Sequence, residues 1–338
     1  MEKVPFLDYR EVLVTGGTGF LGRHVCRALI ARGHLPRLLV RVGSEDRIPE
    51  DIRRASRVTP GDVTNREFVE NAAQSTKAVV HLAGIIREFP ARGITFEKVH
   101  VDATRHAVEA AKMWGISRFV HVSALGASPS GPGKYFESKG KAEEIVRRSG
   151  LSWTIFRPSG IFGPGDRFLS ELGTAVRRAP VLPIPGDGKF LLQPVFVGDV
   201  VMGIVDCLTR PDTEGRTFDV GGPEQITYGE LVDRIASVAG VRVRKVHIAV
   251  PNIRRAARFL SRFENFPLST DMLDVLLAGN TCDSEPYHSA FGLAPISLSG
   301  YLTSWHGADS PSDAVAADGR TGENPGKREE RGRSREAA

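Results

Sequence analysis

The sequence is poor in cysteine, with three in 338 residues, and poor in aromatics, at 7%. Cys26, Cys207 and Cys282 lie far apart and no pair has CxxC spacing. Neither a disulfide framework nor a zinc site is supported, and a reducing compartment is the simpler expectation. The nine histidines show no HExxH or similar ligand spacing, so no metal is expected. No uninterrupted apolar run reaches the roughly 18 residues of a membrane-crossing helix. The start, Met1-Glu2-Lys3-Val4-Pro5, lacks the apolar core of a secretory signal, and none is expected. There is no repeat of about 20–50 residues. A concentrated basic patch and a base-reading motif are also missing, so nucleic acid is not expected as a partner.

What is present is an ordinary globular composition, 41% hydrophobic and 25% charged, with enough apolar mass for a core. At roughly 150 residues per domain the length predicts about two domains, or one large α/β domain with additions. The net charge of +5 suits an anionic ligand or a membrane surface.

The first half alternates strand and helix patterns. Strands are expected at Glu11–Thr15, Arg37–Arg41, Val58–Thr59, Ala78–Leu82, Arg118–Ser123 and Ser152–Arg157. Helices are expected at Gly19–Ala31, Arg66–Ala73 (capped by Thr64), Phe96–Trp114 and Tyr135–Arg148. Repeated β-α-β units imply an α/β fold, a doubly wound parallel sheet of the Rossmann type. From Pro158 the texture becomes turn-rich, with helical patterns at Asp199–Leu208, Tyr228–Val238, Asn252–Phe263 and Thr270–Leu277. A strand-like Thr217–Val220 and an alternating Val241–Ile248 lie between them. The expected division is a nucleotide-binding domain over 1–157, a smaller α+β substrate or partner lobe over 158–305, and a tail over 306–338, with the first two possible as one continuous unit. Beyond Trp305 no Leu, Ile, Phe, Tyr or Trp occurs, and a disordered tail is expected there.

The strongest local signal is Val14-Thr15-Gly16-Gly17-Thr18-Gly19-Phe20-Leu21-Gly22, between a strand and a helix. Gly16 can make the tight turn, Gly19 lets backbone approach a pyrophosphate, and Gly22 lets the helix pack close to the sheet. The helix N-terminus favours the anion. Such a loop alone is weak evidence; its position and the βα units after it make it a dinucleotide site. NAD sites usually place an acidic residue after the second strand, but here that strand ends in Arg41. A guanidinium there suits a 2′-phosphate, so NADP(H) is expected in preference, with NAD(H) the other possible occupant. Asp62, beside Val63, either contacts the adenine or caps the next helix.

Tyr135 and Lys139 stand at i and i+4 on one helix face. A phenol titrates near 10 in water, and a neighbouring ammonium lowers that value. The same Lys can hold the nicotinamide ribose. Ser123 ends the fifth strand, where a parallel sheet presents its ligands, and can orient a substrate oxygen. The bland reading of YxxxK alone is an exposed aromatic and a surface Lys; its place after the fifth strand argues against that.

With these residues the chain resembles the short-chain dehydrogenase/reductase superfamily in its extended or atypical branch. The resemblance covers about 11–300 and is carried by Thr15–Gly22, Gly61-Asp62, His81-Leu82-Ala83-Gly84, Ser123, Tyr135/Lys139, Arg157-Pro158-Ser159 and the run from Gln193 to Val200. It adds Leu82, Ala83, Gly84 and Pro158 to the expected nucleotide contacts. The runs His121–Ala127 and Phe156–Asp166 look like bacterial relatives of the nucleotide-binding accessory subunit of respiratory complex I. The resemblance implies NADPH and either an oxidoreductase or epimerase/dehydratase activity on a small molecule. Its alternative is a non-catalytic accessory or assembly subunit of a membrane respiratory or quinone-synthesis complex. The implied location is cytoplasmic, peripheral to the inner face of the membrane where such a partner is met. One departure matters: His100 occupies the place of an Asn found in many members, which puts a proton relay there in doubt.

The other candidates have plainer readings. Glu143/Glu144 and Glu329/Glu330 are expected to be solvated rather than positioned acid/base pairs. Gly163-Pro164-Gly165-Asp166 is mostly a turn. Arg254, Arg255, Arg258 and Arg262 fall at helical spacing. They form either an ordinary solvated face or a patch for anionic lipid or an acidic partner.

Overall fold

The structure is a computed structural model that describes residues 11–260 and 270–304. Expectations for Arg262, Phe263 and the 306–338 tail lie outside the described residues. In chain order the first elements are β1 (Glu11–Thr15), α1 (Phe20–Ala31), β2 (Leu35–Val40), α2 (Glu50–Arg54), β3 (Arg57–Pro60), α3 (Arg66–Ala73) and β4 (Ala78–His81). They continue through α4 (Ala103–Met113), β5 (Arg118–Val122), α5 (Gly133–Arg147), β6 (Ser152–Pro158), β7 (Ile161–Phe162), α6 (Phe168–Arg178) and β8 (Val181–Pro185). Then come β9 (Leu191–Leu192), β10 (Val195–Phe196), α7 (Val197–Asp206), β11 (Arg216–Val220), β12 (Ile226–Thr227) and α8 (Tyr228–Val238). The last are β13 (Arg244–Ile248), α9 (Val250–Leu260), α10 (Thr270–Leu277), α11 (Glu285–Phe291) and α12 (Leu298–Thr303).

Seven strands form one parallel sheet in the order β11-β6-β5-β4-β1-β2-β3. The run Glu11-Val-Leu-Val-Thr15 shows why such a strand needs cover on both sides. Val12 and Val14 enter a core with Val25 and Leu29 of α1 and Val200 and Ile204 of α7. Leu13 points the other way, into a core with Val69 of α3, Ala107 and Ala111 of α4 and Val146 of α5. Alternating side chains therefore feed two helical layers, as a doubly wound sheet requires. The strand order reverses between β1 and β4, and a crevice at the carboxyl ends is expected at such a switch point.

The structure amends the sequence reading in several places. Thr217–Val220, assigned to the smaller lobe, lies in β11, which pairs with β6 at the edge of the main sheet. The chain after Pro158 thus returns to the sheet through β11 as well as building a core of its own. That core joins Leu169, Leu172 and Val176 of α6 to Leu231 and Ile235 of α8 and Leu298 of α12. The helices α6, α11 and α12 were not legible in advance. The helix cap before α3 is Asn65, whose side chain accepts from the Glu67 amide, and not Thr64. The long helix over Phe96–Trp114 begins as a π-helical stretch at Glu97–Asp102 and becomes α-helical only at Ala103. A wider turn of this kind recurs at functional sites, and here it carries His100.

Arg118, on β5, is buried, and its partners among the described residues are carbonyls and hydroxyls. Its guanidinium donates to the carbonyls of Cys207 and Ser152 and to the hydroxyls of Thr154 and Thr213. One cation thereby ties β5 and β6 to the segments before and after Arg210.

Candidate functional site

Parallel strands share one carboxyl edge, and the expected site residues gather along it. Gly16 follows β1, Arg41 follows β2, Gly61-Asp62 follows β3, Leu82–Gly84 follows β4, Ser123 follows β5, and Pro158 ends β6. Tyr135 and Lys139 come from α5, which covers the same end of β5.

The glycine loop is shaped by the space it lacks. Gly16 has φ +73°, and a Cβ there would stand 2.9 Å from the Ala83 amide nitrogen. A Cβ on Gly22 would stand 2.2 Å from the Gly16 carbonyl oxygen, and one on Gly19 3.2 Å from it. Only glycine lets α1 start this close to β1. Gly19 is the N-cap of α1 and supplies no side-chain acceptor. The first amides of the helix, from Phe20 onward, have no acceptor within it. With Thr18 and Leu21 half-buried beside them, they make a cradle of donors fitted to a pyrophosphate. Arg41 is exposed just past β2. Asp62 turns its Oδ1 to the Thr64 amide and hydroxyl, at 2.8 and 2.7 Å, so it supports the turn before α3.

At the other side of the crevice stand Ser123, Tyr135 and Lys139. Ser123 Oγ is buried, and no group among the described residues bonds it. Tyr135 is held edge-on by Phe96, His100 and Phe136, with ring centres 5.2 to 5.8 Å away. Burial pushes its phenol up to about 12. The Lys139 ammonium is buried and donates to the Val122 carbonyl at 3.0 Å. Burial brings it down to about 8, while Glu143 holds it up. The expected lowering of the phenol by this ammonium is not what the site shows: burial dominates and raises it. A Cβ on Gly84 would stand 3.4 Å from Lys139 Nζ and 3.6 Å from His100 Nε2. Gly84 thus lies directly against both groups.

His100 is bonded through both ring nitrogens. Its Nε2 accepts from the Ile85 amide at 3.0 Å, so its Nδ1 carries the proton and donates to Ser138 Oγ at 2.8 Å. Ser138 in turn donates to the Tyr135 carbonyl. Burial first, then Lys139, brings the ring down to about 2, so it stays neutral and acts as a strut between the 84–85 loop and α5. His81 and His121 lie in lateral register with Thr15 on the same side of the sheet. The rings of His81 and His121 are near-parallel, 5.5 Å apart. His81 bonds Thr15 and Thr104, whereas both nitrogens of His121 are buried without a partner among the described residues.

The sequence reading missed Glu143. Far from being solvated, it is fully buried and takes Arg157 in a two-pronged pair, Nε–Oε1 2.8 Å and Nη2–Oε2 2.6 Å. Arg147 reaches the same Oε2 at 2.7 Å. The signal was there: Tyr135, Lys139 and Glu143 follow at steps of four on one face. Asp166 was also underread as a mere turn residue. It is buried, it accepts from the Leu169 amide at 2.8 Å, and burial raises its carboxyl to about 6. The neighbouring Pro164 carbonyl accepts from His24 Nε2 at 2.9 Å, which fastens this loop to α1.

Of the basic stretch, Arg254 is paired with Asp274 at 2.7 Å. Arg242 and Arg244 are exposed. Among the described residues no group of His, Cys, Asp and Glu could hold a metal ion.

Residues 16–168 match a family described as NAD(P)H-binding. The chain is 32% identical over 305 residues to NADH dehydrogenase (ubiquinone) 1 alpha subcomplex subunit 9, mitochondrial, of Arabidopsis thaliana, covering 85% of this chain and 75% of that protein. It is 31% identical over 254 residues to the ceramide reductase of Caulobacter vibrioides, covering 75% of this chain and 78% of that protein. Among solved structures, the UDP-glucose 4-epimerase of Thermotoga maritima with UDP-glucose aligns at a TM-score of 0.67. Identity there is 21%, covering 86% of this chain and 96% of that one, and the likeness speaks for the fold alone.

Proposed function

The chain belongs to the NAD(P)H-binding, extended short-chain dehydrogenase/reductase family, and from that premise we propose that it is an NADPH-dependent oxidoreductase acting on a carbonyl or carbinol carbon. The observation that supports this reading most is the single edge on which the glycine cradle, the orphaned Ser123 hydroxyl, Tyr135 and Lys139 meet. Gly16, Thr18, Gly19, Phe20, Leu21 and Gly22 would hold the pyrophosphate, and Leu82–Gly84 with Lys139 the nicotinamide ribose. The nucleotide, when bound, supplies the hydride chemistry; the protein supplies position and charge. Ser123 Oγ then orients the substrate oxygen, and Tyr135 Oη exchanges a proton with it. An epimerase or dehydratase would use the same three residues. The Caulobacter relative is named a ceramide reductase. Lipid carbonyl compounds therefore belong in the first substrate panel.

Arg41 carries the preference for NADP(H). A charge-assisted bond to a phosphate is worth about 1.5–3 kcal/mol when formed. Arg41→Ala is expected to weaken NADPH binding by about tenfold, the low end of that range, because the site is exposed. NADH binding should stay unchanged. Fluorescence titration of the purified protein with both nucleotides checks this. An unaltered NADPH/NADH ratio in the variant removes Arg41 from the account.

A second reading, an accessory subunit at a membrane complex, has its own support. The plant relative is named as a subunit of a mitochondrial NADH dehydrogenase, and Arg242 and Arg244 stand exposed shortly before the basic helix α9. No helix among the described residues is long and apolar enough to cross a membrane, so such a protein would sit on a surface. A basic residue at an anionic surface contributes about 1 kcal/mol. Arg242→Glu with Arg244→Glu should therefore lower co-sedimentation with phosphatidylserine vesicles by about tenfold or more. Sedimentation that ignores both the lipid charge and the variant argues against a lipid-facing role for this stretch.

A further inference from the structure

Lys139 is buried at the end of a sheet, and its one hydrogen-bond partner among the described residues is the neutral Val122 carbonyl. An ammonium in that position loses most of its hydration, and a carbonyl dipole replaces only part of it. Around it stand His81 of β4, His100 of the π-helical stretch, His121 of β5, and Tyr135 and Glu143 of α5, with Arg147 bonded to Glu143 one turn further on. Arg157 of β6 lies behind Glu143. Glu143 is the one anion in this group. It lies one helical turn beyond Lys139 on the same face and is wholly buried.

Glu143 also faces outward from the site. Arg157 grips both of its oxygens and donates at 3.2 Å to the Ala127 carbonyl, in the loop that follows Ser123. That loop is further fastened by the Leu125 amide on the Pro158 carbonyl. The pair therefore stands next to two parts of the catalytic set at once: Glu143 one helical turn along α5 from Lys139, and Arg157 bonded to the loop that follows Ser123.

We propose that the buried Glu143–Arg157 pair is a positioning device: Glu143 is the counter-charge that keeps Lys139 an ammonium inside the fold, and Arg157 couples that charge to the Ser123 loop. Neither residue touches substrate or nucleotide. The proposal deepens the oxidoreductase reading, and rests on it only where Lys139 is taken to hold the nucleotide.

The test separates the two. The ionisation of Lys139 is read directly, without nucleotide, from the 13Cε NMR shift of labelled lysine, assigned by its absence in Lys139→Arg. In Glu143→Gln the Lys139 midpoint is expected to fall by about one pH unit or more, the usual effect of removing a near opposite charge. Arg147 is partly exposed, so Arg147→Met tests the same idea without emptying the core. Removing that cation should move the Lys139 midpoint upward. Shifts of opposite sign support the proposal; a midpoint unmoved in both variants, or moved the same way in both, overturns it. NADPH binding is then measured across pH 6 to 10 by fluorescence. If binding weakens above the same midpoint in each variant, Lys139 holds the nucleotide as its ammonium. If the NMR midpoints move as expected and the binding profiles do not, the proposal about Glu143 stands and the assignment of Lys139 to the nucleotide falls.

Discussion

Tyr135→Phe is expected to lower turnover by about 100–10,000-fold, the usual contribution of a positioned general acid. NADPH affinity should stay within about twofold, since a loss confined to the transition state leaves ground-state binding in place. The physical basis is how little else the hydroxyl does. The ring is held by Phe96, His100 and Phe136, and phenylalanine keeps all three contacts. With the phenol pushed up to about 12, Tyr135 is protonated throughout the neutral range. It is therefore poised as a proton donor to a carbonyl oxygen, which favours the reductive direction. Lys139 limits the window from above: it titrates at about 8, so the reductive rate should be level from pH 6 to near 8 and decline beyond. The comparison is made with whichever carbonyl substrate the panel yields. Full turnover, or full cellular function, in the phenylalanine variant would decide for the accessory-subunit reading, in which nucleotide is held but not used.

Some of this site was legible because it depends on residues close in sequence. The glycine loop is one turn long, and its constraint is steric: a Cβ on Gly22 meets a backbone oxygen at 2.2 Å. Tyr135 and Lys139 are paired by helix geometry alone. Other features depend on which strands become neighbours, and no local pattern reports that. His81 and His121 meet only because β4 and β5 pair in register. β11 was assigned to the smaller lobe because about sixty residues separate it from β6, its partner in the sheet. Glu143 was misread for a different reason. Two adjacent glutamates on a helix suggest a solvated face, but adjacent residues point about 100° apart, and only Glu144 faces outward. The π-helical stretch at Glu97–Asp102 left no periodic trace because it is short and runs directly into α4.

The buried histidines predict a steep loss of stability in acid. His81 is brought down to about 3 and His100 to about 2, in each case by burial and then by Lys139. His121 falls well below its ordinary value for the same first reason. Unfolded histidine titrates near 6.5. Between that value and the folded ones the unfolded chain binds protons that the native chain refuses. Stability is therefore fully present above about pH 6.5 and falls as pH drops, by about 1.4 kcal/mol per pH unit for each ring and about 4 kcal/mol for three. Against a typical stability of about 5–15 kcal/mol, unfolding is expected between roughly pH 3 and 5. Circular dichroism during thermal and urea unfolding at stepped pH measures the slope. His121→Leu is the informative variant, because among the described residues His121 has no side-chain hydrogen bond that the substitution would break. It should leave stability at pH 7 unchanged or higher, since an unsatisfied buried polar group is removed. It should also cut the acid slope by about a third. A slope that His121→Leu leaves intact would place the acid lability elsewhere, in the carboxylates. A slope that does fall carries a consequence for the site itself. The three rings stay neutral partly because each is repelled by Lys139, so a single fixed ammonium under Gly84 and a set of uncharged histidines are one arrangement, balanced by Glu143.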